Sequence, residues 1–507
     1  MITFLVCTAL IIVAYFTYGS YTTKTVEFDE NKTAPAIRLQ DGVDYIPMPW
    51  YKTLLIQFLN IAGTGPIFGA ISGALFGPVA FLWITFGTIF VGGVHDLISG
   101  LVSMKHDGAS FSELIGIYLG EKIKLAVLIF SVLLLVLVGT VFITTPAGLL
   151  NNLLNIGHFH LFGRDLSFWI IVIILYYIAA TVLPVDKVIG KIYPLFGFAM
   201  LFMAVGLFIM MMVRHFNGTN PMMELNFNQL MIHPGGLNPI PFLFITIACG
   251  AVSGFHATQS PMMARCLNNE NEAKRIFMGS MHIEGVVALI WAAVAMAYYG
   301  GNSFDINALG GPAAIVNDIS FSLLGPVGMV LAVLGVVAAP ITSGDTAFRS
   351  ARLQIADFFK MDQTSIPKRF AVAIPLFVIA IILQFVDFDI LWRYFAWANQ
   401  TLAVAVLWMG AMYLFVNKKN HWIASIPAMF MTFVSISFIL QAPVGFRLPG
   451  TVGNIGGLIG AVAVMALFLI YTSSQSAKIY KDVEERTIAA AKHPIDSYDH
   501  EVLDIGI

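Results

Sequence analysis

Charge is what this sequence has least of. Asp, Glu, Lys and Arg make up 11% of its 507 residues, where a soluble domain carries about 25%. A chain so poor in charge cannot cover a soluble surface. With 58% hydrophobic residues it reads as an all-α polytopic membrane protein, because lipid offers no partner for free backbone groups. No basic stretch is interleaved with aromatics, which removes nucleic acid as a partner. No GxxxxGK[ST] occurs, so this chain is not an ATP-driven pump. No HExxH, GxSxG or clustered ligand set occurs either, so it is not read as an enzyme, and no metal or cofactor is expected. The three cysteines, Cys7, Cys249 and Cys266, lie far apart and give neither a disulfide framework nor a metal spacing. Ile2 to Tyr18 lacks the basic start and small-residue cleavage site of a signal peptide, and reads as an uncleaved span.

What is present is a succession of apolar runs. Thirteen spans are expected, near 2–18, 54–75, 79–103, 125–148, 166–184, 190–213, 240–258, 276–299, 326–348, 370–386, 391–416, 421–440 and 452–472. Each approximates the ~20 apolar residues a bilayer requires. Threading the chain through them puts Arg164, Arg214, Arg393 and Arg447 on one side and the other 23 of the 27 Lys and Arg on the opposite side. The rich side is cytoplasmic by the positive-inside rule. The N-terminus is then outside and the C-terminus inside, in the cell's inner (cytoplasmic) membrane. The tail reads as a short surface helix ending before Pro494.

Two spans are interrupted. The second contains NIAGTGPIFGAISG, Asn60 to Gly73, with Gly63, Gly65, Pro66, Gly69 and Gly73. Gly costs about 1 kcal/mol and Pro about 3 kcal/mol against Ala inside a helix. The seventh contains TIACGAVSGFH, Thr246 to His256. Close helix packing is one reading of such glycines. Paired interruptions in corresponding halves are also the sequence mark of a transporter binding site. The two are five spans apart, an odd number, so they cross in opposite directions, as in an inverted repeat. The expected organisation is 1–53 (extra helix and cytoplasmic linker), 54–213 and 240–416 (two five-helix repeats), 417–472 (two additional helices) and 473–507 (cytoplasmic tail).

DGVDYIPMPW (Asp41 to Trp50), NIAGTGPIFG (Asn60 to Gly69), HDLISGLVSMKHDGASFSEL (His95 to Leu114) and FITIACGAVSGFHA (Phe244 to Ala257) resemble the carbon starvation protein A family. So do DTAFRSARLQIADFF (Asp345 to Phe359) and LWRYFAWANQTLA (Leu391 to Ala403). The resemblance runs from about residue 20 to 415. It implies a LeuT-like carrier with a 5+5 inverted repeat and broken helices. It also implies uptake of peptides or small carboxylates such as pyruvate, with protons rather than sodium, during carbon limitation. ITSGDTAFR and TQSPMMAR depart from the runs of longer members, which leaves substrate choice open.

The substrate is expected at mid-membrane among Asn60, Gly63, Thr64, Gly65, Gly250, Ser253, Gly254 and His256. Freed amide N–H groups at half-helix starts attract an anion there. Ion or proton coupling is assigned to Asp96, Glu284, Thr342, Ser343 and Asp345. The carboxylates are candidates because intramembrane charge is costly. The hydroxyls are candidates because, by the resemblance, they would complete a cation site with carbonyls of the first broken helix. Hydration near a span end is the plain alternative for Asp96 and Asp345, and back-bonding to the preceding turn for the hydroxyls. His256 is placed at the end of its span. Arg349 and Arg352 read as membrane-interface anchors, and Asn399 and Gln400 as bridges between helices. A channel and a membrane nutrient sensor are the competing classes. The sequence assigns no oligomeric state.

Overall fold

Because each backbone donor and acceptor within a bilayer must be satisfied by the chain itself, the architecture is a succession of helices. The computed structural model describes residues 1–28, 33–42, 44–154, 157–161, 164–182, 185–227, 230, 232–361, 363 and 365–492. In chain order the helices are α1 (Ile2–Val26), α2 (Trp50–Ile61), α3 (Gly65–Gly73), α4 (Val79–Lys105), α5 (Phe111–Leu119), α6 (Glu121–Leu154) and α7 (Phe168–Ala180). There follow α8 (Val185–Phe216), α9 (Pro239–Thr246), α10 (Gly254–Ala264), α11 (Gly279–Tyr298), α12 (Gly311–Leu331) and α13 (Ala338–Phe358). The last are α14 (Ile366–Leu383), α15 (Phe388–Val416), α16 (Trp422–Gln441), α17 (Gly450–Ser474) and α18 (Ser476–Lys492). A short hairpin, His158–Leu161 with Arg164–Ser167, precedes α7.

Ten helical segments among the described residues are long and apolar enough to cross a membrane, and α2 with α3 makes an eleventh as one span bent by 48°. Two of the expected thirteen fall short of that standard. The span at 166–184 is the 13-residue α7. The span at 240–258 is split into α9 and α10, and the second half reads GFHATQSPMMA, too polar for an uninterrupted apolar run. It also runs on to Ala264, which corrects the placement of His256: the residue stands in the first turn of α10, not at the end of a span.

The helices fall into two runs of the same order. A broken pair (α2/α3, α9/α10) is followed by a long helix (α4, α11), a shorter one (α5, and α12 as far as its kink at Gly325), and three more (α6–α8, α13–α15). The sequence reading passed over α5 and the first part of α12. The broken pairs and their following helices form the centre. In the apolar windows of α4 and α11, 83% and 89% of residues are buried, against 22% for α1 and 28% for α14 and α17.

Among the described residues, three segments are wound as π-helix: Thr88–Gly92 within α4, Lys274–Met278 before α11, and Ala332–Val337 between α12 and α13. Such segments are rare and concentrate at functional sites. Each lies one to two turns ahead of a buried carboxylate, Asp96, Glu284 or Asp345.

Candidate functional site

Breaking a helix frees backbone groups that must find partners. In the first break, between Ile61 and Gly65, Ser343 Oγ on α13 donates to the carbonyls of Leu59 (3.2 Å) and Asn60 (3.0 Å). In the second, between Thr246 and Gly254, Trp83 Nε1 donates to Ile247 O (3.0 Å) and Thr88 Oγ1 to Gly250 O (3.2 Å). On α15, Asn399 Oδ1 accepts from Phe255 N–H (2.8 Å) and from Ser253 Oγ (3.0 Å), while its Nδ2 donates to Cys249 Sγ (3.4 Å). Gln400 Nε2 donates to Phe244 O (3.1 Å). Asn399 and Gln400 thus tie α15 to the broken span, and an amide at the start of α10 has a protein acceptor in place of an anion.

The breaks touch. A methyl on Gly65 would lie 2.3 Å from Cys249 Sγ, and one on Gly250 would lie 2.5 Å from Ala288 Cβ. Gly65, Gly69 and Gly73, four apart on one face of α3, all press on residues 246–249. The close-packing reading therefore describes these three, while Gly63 lies in the break itself, facing Phe142 and Ser343. At the end of α2 and in the break that follows, Gln57, Asn60 and Thr64 are fully buried, and their side-chain polar atoms have no hydrogen-bond partner among the described residues.

Three residues singled out separately in the sequence meet in one place. His256 Nδ1 lies 2.9 Å from Asp96 Oδ2, and its Nε2 lies 3.5 Å from Glu284 Oε2. His95, adjacent to Asp96, closes the other end, Nδ1 to Asp96 Oδ1 at 2.7 Å. All four side chains are fully buried. The order His95–Asp96–His256–Glu284 joins α4, α10 and α11. Glu284 reaches no hydrogen-bond donor within range among the described residues. His95 had been passed over, although its position beside a buried Asp was the available signal. The close approach of α4 needs Gly92, whose methyl would meet Ala251 O at 2.3 Å.

The candidates on α13 separate. Ser343 faces the first break, and Thr342 Oγ1 donates to Ala339 O in its own preceding turn (2.7 Å). Asp345 points elsewhere: its carboxylate accepts from Tyr193 OH (3.2 Å) and lies 3.9 Å from Arg349. Positions two apart on a helix do not share a face, so Ser343 and Asp345 do not converge. Arg349 and Arg352 correct the anchor reading. They are 8% and 5% exposed, because α13 continues to Phe358 and turns both inward. Arg349 donates to Ala180 O and Arg352 to Gln363 Oε1.

A family model described as carbon starvation protein CstA matches residues 1–162 and 155–323. An uncharacterized membrane protein of Haemophilus influenzae is 42% identical over 339 residues, covering 59% of this chain and 91% of that one. The peptide transporter CstA of Escherichia coli is 25% identical over 575 residues, covering 86% and 81%. The pyruvate/proton symporter BtsT of Escherichia coli is 28% identical over 356 residues, covering 58% of this chain and 49% of the symporter, so the match spans about half of its length. Among solved structures, MhsT in complex with L-phenylalanine superposes with a TM-score of 0.52 at 14% identity, covering 83% of this chain and 97% of that one. That likeness gives the fold, the LeuT-like helical arrangement.

Proposed function

The chain belongs to the carbon starvation protein CstA family, and from that premise we propose that it imports a peptide or pyruvate together with a proton across the inner membrane of carbon-starved cells. It is a secondary transporter for peptides or pyruvate, as its named relatives are. One observation carries the proton: two carboxylates bridged by one imidazole, all fully buried.

A buried charge without compensation costs several kcal/mol. Two carboxylates here share His256, whose ring serves both only when both nitrogens carry protons. A proton on the ring therefore serves both carboxylates at once, and its gain or loss alters the attraction between α10 and the α4/α11 pair. That is a coupling of protonation to helix position.

The substrate is proposed to bind beside Asn60 and Thr64, with Gln57 below, where buried amide and hydroxyl groups lack protein partners. Gly63 gives the backbone access, and the Gly65 to Cys249 contact parts to admit the ligand. Gly254, Ser253 and His256 line the facing break. The N-terminus is placed outside and the C-terminus inside on the distribution of Lys and Arg. The deciding experiment is uptake of labelled pyruvate and of a labelled dipeptide into proteoliposomes, with pH gradient and sodium gradient imposed independently. Accumulation driven by the pH gradient alone supports the assignment. Accumulation driven only by sodium refutes it.

A further inference from the structure

The N-cap position of α10 is Ser253, and its side chain makes no capping bond to the helix. The cap comes instead from another helix. Asn399 Oδ1 on α15 accepts from Phe255 N–H, the second amide of α10 and the one an N-cap oxygen ordinarily serves. The same oxygen takes the Ser253 hydroxyl, and Asn399 itself is fully buried. The two backbones are in contact there: a methyl on Gly254 would lie 2.5 Å from Asn399 O and from Ala403 N. The next residue of α10 is His256, the bridge between Asp96 and Glu284. The α15 helix carries none of the four cluster residues.

We propose that Asn399 is a positioning residue for coupling: it caps α10 from α15 and so holds His256 in the bridge between Asp96 and Glu284, which persists only while α10 is docked on α15. The inference rests on the cluster being the proton site. His256 Nε2 stands 3.5 Å from Glu284 Oε2, an ion-pair approach that falls short of a hydrogen bond, so a small tilt of the first turn of α10 separates the pair. Undocking α10 from α15 then releases the cap and the bridge together, and the proton leaves the cluster in step with the helix movement. The titratable groups around His256 are His95 and Asp96 from α4, Glu284 and His282 from α11, and Cys249 from the break; α15 contributes the neutral Asn399 and α13 the hydroxyl of Ser350.

The test is Asn399→Ala in the whole protein in proteoliposomes, read by substrate counterflow, by pH-gradient-driven accumulation and by the pH profile of uptake. Counterflow should stay within about twofold of wild type, while accumulation falls about fivefold, the factor that loss of a cap corresponds to, and the pH midpoint moves. Thr401→Ala, on the same helix but bonded to Ser435 of α16 and not to α10, should change none of the three. Should Asn399→Ala fail to fold, Ser253→Ala removes one of the two bonds on the same oxygen and should move the pH midpoint the same way by less. A folded Asn399→Ala protein with wild-type accumulation and pH profile overturns the proposal, as does an unmoved profile in Ser253→Ala where only that variant folds. Glu284→Gln separates the two readings. If it accumulates normally, the proton site itself is wrong. If it is uncoupled while Asn399→Ala is wild type, only the positioning role fails.

Discussion

Replacing Gly65 by Ala should jam the two breaks together, and a second substitution should release them. A methyl at Gly65 lies 2.3 Å from Cys249 Sγ and 2.5 Å from Cys249 Cβ. Ordinary contact is about 3.5–4.0 Å, so the gap must open by roughly 1 Å. Rotating the thiol away clears Sγ but not Cβ, which is fixed to the backbone of residues 247–253. That segment must therefore move, and with it its bonds to Trp83, Thr88 and Asn399. Overpacking of this kind costs about 1–3 kcal/mol. Cys249→Gly removes both clashing atoms and leaves Cα at 3.9 Å, an ordinary contact. In thermal unfolding of the four detergent-purified proteins, Gly65→Ala should melt several degrees lower in the Cys249 background. It should cost little in the Cys249→Gly background, giving an interaction of about 1–3 kcal/mol across the cycle. Additive effects, or a Gly65→Ala protein as stable as wild type, would show that the breaks do not meet here. Uptake by the double variant then asks whether Gly65 has any role besides packing.

Glu284→Gln should abolish uphill accumulation and spare exchange, which paired gradient-driven uptake and counterflow measure; normal accumulation sinks the proton assignment. Ser343→Ala leaves the carbonyls of Leu59 and Asn60 without that donor and should lower stability by about 1–3 kcal/mol, read as a lower melting temperature. For Glu224, outside the spans, burial alone would raise the pKa, but bonds from the Met1 ammonium, Thr3 and the Ile2 N–H pull it down to about 2 from an ordinary 4.5. A depressed carboxylate pKa means stability present above 4.5 and lost as pH falls towards 2. The difference in melting temperature between wild type and Glu224→Ala should accordingly shrink as pH is taken from 7 to 3. Cysteines introduced at the exposed Thr219 and Asn307 should react with an impermeant reagent in intact cells, and one at the exposed Lys360 should not. The reverse pattern inverts the topology.

Both breaks were legible because Gly and Pro inside an apolar run have a known cost, and the chain unwinds at Ala62–Thr64 and 247–253, inside the stretches marked from the sequence. Asp96, His256 and Glu284 stood out for a related reason, polarity in an apolar setting. That they share one site was not legible, since the Asp96 to His256 pair spans 160 residues and depends on how three helices are rotated about their axes. The same rotation hid the burial of Arg349 and Arg352. On a helix with hydrophobic residues on most faces, periodicity does not say which face meets protein and which meets lipid. The α5 helix and the start of α12 were missed because neither is long and apolar enough to register as a span. Of the polar partners that close the second break, Asn399 is read from the sequence as a bridge between helices, whereas Trp83 and Thr88 come from another helix and carry no local signature.

The π-wound segments make the molecule's chemistry depend on residue count. Each accommodates a residue that a regular helix would not, and a single residue of α-helix is about 100° of rotation. The wide turn absorbs that residue locally, so Trp83, which holds the second break, and Asp96, which holds His256, keep the phase of a regular helix one residue shorter. Deleting Ile89 from Thr88–Gly92 would let α4 rewind regularly with its two ends still in phase. An alanine inserted between Gly93 and Val94, with the wide turn already filled, should instead turn Asp96 away from His256 and damage coupling as loss of the carboxylate does. Deleting Ile89 from the inserted protein should restore the residue count and recover it.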